Sequence, residues 1–154
     1  MSQQRIDMQY LLDRTAIHEV LARYYQGLDR GLPDQVRSCF TDDVKAYYDG
    51  QDPVAGIEAL MNSLNTFKRL AAGELKATTH FMGNLNIHLL EGDVAETETY
   101  AIAYLVRPAK PADQVVMRCA SVAANAAGAS QLQSNVCRRS LIRQSPCTRR
   151  HLSR

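Results

Sequence analysis

Hydrophobic and polar positions along this chain first repeat with the period of a helix and then with that of a strand. From about Met8 to Leu28 the apolar positions Leu11, Ile17, Leu21, Tyr24 and Leu28 recur at steps of three, four and six residues, the stripe of a helix buried along one side. Asp7 stands ahead of it as an N-cap, Gly27 and Gly31 mark the exit, and Pro33 opens the next element. Ala22, Tyr25 and Asp29 form an adjoining stripe, which sets Asp29 at the edge of the buried face near the helix end. Pro33 to Cys39 reads as a short second helix with Val36 and Phe40 inward. Thr41-Asp42-Asp43 is a turn, Val44 to Tyr48 a strand, and Gln51 to Ala55 a loop. Gly56 to Leu70 is predicted as one third helix, with Ile57, Leu60, Met61, Leu64 and Phe67 on one side.

The alternation then tightens to every second residue. In Thr78 to Leu90, Phe81, Leu85, Ile87 and Leu89 point one way, and His80, Met82, Asn84, Asn86 and His88 the other. Glu91-Gly92-Asp93 is a hairpin turn, and Val94 to Val106, rich in Thr, Tyr and Val, is its partner strand. Pro108 and Pro111 end that strand, and Val115 to Met117 opens another. Beyond Met117 no period is visible. The order predicts an α+β fold, helices leading onto an antiparallel sheet, with its C-terminal strands missing or aberrant.

Charge divides the chain at the same place. Residues 1–117 hold 11 Lys/Arg against 16 Asp/Glu, a net of −5, whereas residues 118–154 hold 7 Arg, no Lys and no acid. That second part also has no aromatic residue and contains Cys119, Cys137 and Cys147 of the four cysteines. A nucleic-acid arm would carry denser charge and lysine, and the cysteine spacing fits neither a zinc site nor a disulfide framework. The division expected is therefore a folded domain over 1–117 and an Arg/Ala/Ser-rich tail over 118–154 that is disordered or read out of frame. No apolar run has the length of a membrane helix, and Met1 to Asp7 is polar and unlike a secretory signal. These features set the expectation of a cytoplasmic protein without nucleic-acid or membrane partners.

The candidate chemistry rests on few groups. Asp29 and His80 bring a carboxylate and an imidazole to apolar surroundings, a pair suited to moving a proton near neutral pH. Each also has a plainer reading, Asp29 as a surface residue at a helix end and His80 as a strand residue with its bonds satisfied. Tyr24 and Tyr25 read equally as core aromatics, and Tyr47 and Tyr48 face opposite sides of their strand, so only one enters a pocket. Glu96, Glu98 and Tyr100 share one strand face, which reads as solvated, and His18 and His88 read as exposed. The histidine spacings offer no metal site.

Four segments carry a resemblance. Ile17-His18-Glu19-Val20-Leu21-Ala22-Arg23-Tyr24-Tyr25 with Gly27 and Asp29, then Phe40-Thr41-Asp42-Asp43-Val44, Gly56-Ile57-Glu58-Ala59-Leu60 and Thr79-His80-Phe81-Met82-Gly83-Asn84, resemble the SnoaL-like family of the nuclear-transport-factor-2-like superfamily in order and spacing. The likeness spans about residues 8 to 117. It implies a cystatin-like curved antiparallel sheet whose N-terminal helices close a cone-shaped pocket, incomplete here for want of C-terminal strands. In the dehydratase and dehydrochlorinase branches of that family an Asp late in the first helix pairs with a His at this strand, places that match Asp29 and His80. Tyr24 and Tyr48 match the recurring tyrosines, with Tyr25 and Tyr47 as alternatives. Tyr25, Met82 and Tyr100 are taken as substrate-binding. The activity implied is a cofactor-free lyase, a dehydratase-like elimination on a small, partly apolar cyclic molecule. The alternatives are an isomerase or hydrolase with the same dyad, or a non-catalytic ligand-binding module like a dioxygenase small subunit. The resemblance also implies a homo-oligomer, dimer or trimer.

Overall fold

The computed structural model describes residues 7–48, 52–91, 94–110, 112–127 and 132–146, with side chains at all of these except 48, 89–91 and 119–146. Helix α1 runs Met8–Arg30, α2 Pro33–Arg37, α3 Ile57–Ser63 and α4 Asn65–Ala71; the strands are β1 Phe40–Tyr48, β2 Val54–Ala55, β3 Ala77–Glu91, β4 Val94–Arg107, β5 Gln114–Ala127 and β6 Leu132–Pro146. They form one six-stranded sheet in the order β2-β1-β6-β5-β4-β3. Every neighbouring pair is antiparallel except β1 with β6, which is parallel. The helices precede or interrupt the first strands and α1 packs across β3, the mixed α+β arrangement of a cone.

Asp7 caps α1 as its sequence predicts, its side chain accepting from the Tyr10 amide at 2.9 Å. The helix ends on Gly31 at φ 67°, and the Leu32 amide returns to the Gly27 carbonyl at 2.8 Å. The buried face is Ile17, Val20, Leu21, Tyr24, Tyr25, Gly27 and Leu28, whereas Leu11 is 47% exposed because the first turns of α1 extend beyond the sheet-packed part of the helix. Gly27 is not an exit signal. It lies inside α1, where an added Cβ would come within 2.7 Å of Val36 Cγ2, so its bare backbone lets α2 close on α1. The single third helix expected over Gly56–Leu70 is two, broken at Leu64, whose ψ of 85° is incompatible with a helix. Ile57 and Leu60 still reach the core, and Met61, Leu64 and Phe67 pack against it.

Strand β3 departs from simple alternation. Met82 pairs with Ala101 but Leu85 pairs with Thr99, so β3 carries one residue more than β4 across that interval. Gly83 lies in the slip, where a Cβ would stand 3.2 Å from the Tyr100 carbonyl oxygen. The extra residue reverses the parity read from the sequence. Thr78, His80 and Met82 before the slip, and Leu85 and Ile87 after it, all turn toward the interior, while Phe81 is 65% exposed. Strand β4 keeps its period, with Ala95, Thr97, Thr99, Ala101 and Leu105 buried.

The strands expected to be missing or aberrant form a backbone hairpin. β5 pairs with β4 along its whole length, and β6 returns beside β5 to reach β1. A ladder requires only backbone N–H and C=O groups, so it forms where side-chain alternation is absent. The composition of this stretch remains as unusual as the sequence shows, and residues 147–154 lie outside the described residues.

Candidate active site

Asp29 is the penultimate residue of α1, and the glycine cap behind it fixes where its carboxylate emerges. Opposite lies β3, one of the two edge strands of the sheet. An edge strand has backbone donors on its free side, and the His80 amide uses one of them on Asp29 Oδ2 at 2.8 Å. The ring of the same residue bonds through Nδ1 to Asp29 Oδ1 at 2.6 Å. Both carboxylate oxygens are thus held by one residue, one through its backbone and one through its side chain. With Nδ1 donating to the carboxylate, the neutral ring carries its lone pair on Nε2. No group among the described residues bonds Nε2. The pair is mostly buried, with side-chain exposures of 15% for His80 and 22% for Asp29. The Tyr25 ring stacks on the imidazole, with centroids 5.4 Å apart and planes at 22°, and restricts its rotation.

The pair opens into a partly open cleft of about 280 Å3 lined by Ala22, Tyr25, Gln26, Asp29, Arg30, His80 and Met82. Of the residues singled out from the sequence, Asp29, His80, Tyr25 and Met82 meet here. Tyr24 does not line this cleft. It is 8% exposed, with its ring edge-on to Phe40 at 5.4 Å, because one residue along a helix rotates the side chain away. Tyr100 is also elsewhere: it is 54% exposed on the outward face of β4, opposite in parity to buried Thr99 and Ala101. Tyr47 is 42% exposed, and the Tyr48 side chain lies outside the described residues.

Gln26 and Arg30 join the site without having been anticipated. They follow Ala22 at four-residue steps, a row legible in the sequence once the helix is oriented. The one buried cysteine among the described residues, Cys39, offers no competing nucleophile. Burial pushes its thiol above the ordinary value of 9.0, and Sγ bonds the Gln35 carbonyl at 3.3 Å. Among the described residues no three His, Cys, Asp or Glu side chains converge on a metal-sized site, and no helix is long and apolar enough to cross a membrane.

Three solved structures illustrate the likeness of the fold. A scytalone dehydratase candidate from Novosphingobium aromaticivorans superimposes with a TM-score of 0.71 at 16% identity, over 90% of this chain and 91% of that one. The type 3 hexachlorocyclohexane dehydrochlorinase of Novosphingobium barchaimii gives 0.72 at 16% identity, over 93% and 97%. The β subunit of an aromatic-ring-hydroxylating dioxygenase candidate from N. aromaticivorans gives 0.64 at 19% identity, over 82% and 88%. At such identities the likeness is one of fold. No curated protein matches the sequence. The SnoaL-like domain model matches residues 9–129, continuing past Met117 into the part whose pattern looks lost. With four-fifths of its residues inside that match, the chain belongs to the SnoaL-like family.

Proposed function

We propose that the cleft carries out a cofactor-free elimination on a small, partly apolar cyclic molecule. The observation that carries this reading is the double hold of His80 on Asp29, which leaves Nε2 as a base beside the cleft. Nε2 takes a proton from a carbon next to an electron-withdrawing group. The C–H electron pair forms the new double bond, and the group on the neighbouring carbon leaves with its own pair. Where that group is hydroxide, the imidazolium returns the proton and water departs; where it is a halide, the proton passes to solvent. Asp29 offsets the imidazolium charge and Tyr25 stacks on its face. General-base help of this type is worth roughly 10²–10⁴-fold. Tyr48, by the family resemblance, supplies a hydrogen bond to the substrate oxygen, a role that Tyr48→Phe tests by a fall in kcat with Tm unchanged.

The decisive measurement is turnover of β-hydroxy and β-halo cyclic carbonyl compounds, followed as conjugated product or released halide. Wild-type turnover that falls at least about a hundredfold in His80→Ala supports the reading. Full turnover in that variant sinks it. The outward sheet face carrying Phe81, Tyr100 and Tyr104, all at least 40% exposed, supports the further reading that copies associate through the sheet. Light scattering of the purified chain checks it, and a monomeric mass at micromolar concentration counts against it.

A further inference from the structure

Arg30 brings a permanent positive charge to the wall of the cleft. It closes α1, is exposed, and lines the same space as His80 and Met82. Among the described residues no carboxylate pairs with it, and neighbouring Asp29 has both oxygens turned to His80. One helical turn earlier Gln26 lines the same wall. Its Oε1 accepts from Gln35 Nε2 at 3.4 Å, which leaves its own Nε2 as the donor available to a ligand. Two donors at a four-residue step therefore flank the dyad, while Ala22, Met82 and the Tyr25 ring supply apolar wall. A position in the last turn of a helix suits any cation, but a guanidinium also presents a planar fork that matches the two oxygens of a carboxylate.

We propose that this cleft selects small carboxylic acids in their anionic form, the carboxylate held by Arg30 and Gln26 and the hydrocarbon part laid against Met82, Ala22 and Tyr25. The inference deepens the elimination reading by naming a substrate class and rests on the cleft assigned there. A volume of about 280 Å3 suits a single ring with a few substituents, just below the roughly 300–1,000 Å3 of drug-sized sites.

The test is a titration of the full chain with benzoate and with benzamide, its uncharged counterpart, read by NMR at the His80 ring. Wild type is expected to bind benzoate about tenfold tighter than benzamide, a charge-assisted hydrogen bond at a partly exposed site. Arg30→Gln is expected to erase that preference while leaving Tm as it is. Arg30→Lys is expected to keep part of it, since the charge stays and the fork is lost. Equal binding of the two probes, no benzoate binding at millimolar concentration, or an undiminished preference in Arg30→Gln overturns the proposal. The elimination reading fails separately: full turnover in His80→Ala refutes the base and leaves the benzoate preference standing.

Discussion

The pairing of Asp29 with His80 turns a residue type into a role, because the carboxylate decides which ring nitrogen holds the proton. Asp29→Asn keeps the shape and changes that decision. The backbone amide of His80 still needs an acceptor, so the amide oxygen takes it and the NH2 group faces Nδ1. Nδ1 must then accept, and the proton moves to Nε2, the position of the proposed base. The expected outcome is a kcat lowered roughly 10²–10⁴-fold with the fold intact, and a reversed His80 tautomer in isotope-edited nitrogen NMR. An unchanged tautomer would contradict the clamp as the source of the base. At Cys39 the prediction concerns pH. Burial holds the folded thiol above 9.0, so above that pH the unfolded chain ionises first and binds fewer protons than the folded one. Stability contributed by the neutral thiol is full below pH 9.0 and declines as pH rises beyond it toward the folded value. Denaturation midpoints across alkaline pH should fall less steeply in Cys39→Ala than in wild type.

Elements take their positions from two glycines that do different work. Gly27 permits the close approach of α2, and Gly31 ends α1 in the left-handed region. Gly27→Ala places a methyl carbon within 2.7 Å of Val36 Cγ2, so α2 must shift or Val36 change rotamer. The expected loss is about 1–3 kcal/mol in chemical denaturation, typical of overpacking. A neutral result would mean that α2 is loosely held. The periodicity of α1 was legible because one long helix on one sheet enforces a 3.6-residue stripe. The direction of β3 side chains was not, since one extra residue between Met82 and Leu85 is invisible to a count of alternation. That slip lets His80 face inward on the same strand as Ile87.

For the whole molecule, β6 is the hinge of the architecture. Among the described residues it alone joins the β1–β2 pair to the β5–β4–β3 ladder by hydrogen bonds, and it does so with a parallel seam to β1. Ending the chain after Ala127 would leave β1 and β5 as open edges and divide the sheet. The expected outcome is loss of the cooperative thermal transition and of the near-ultraviolet circular dichroism; a truncated chain that melts like the full one would show that β6 contributes little. The family match continues to residue 129, and the sheet draws on backbone from both sides of Met117.

Sequence by itself determined the first two helices, the long β3–β4 pair, the cap at Asp7, the buried stripe of α1 and the two residues, Asp29 and His80, worth watching. These are local properties, set by side-chain periodicity and by the conformations that Gly, Pro and Asp allow. Only the tertiary structure decided that the two side chains meet, that Tyr25 rather than Tyr24 stands over the imidazole, that Tyr100 faces outward, and that Gln26 and Arg30 share the cleft. Each of those depends on a rotation of helix against strand or on a one-residue slip in register. Such rotations and slips are settled by packing between residues far apart in the chain, which no local pattern records.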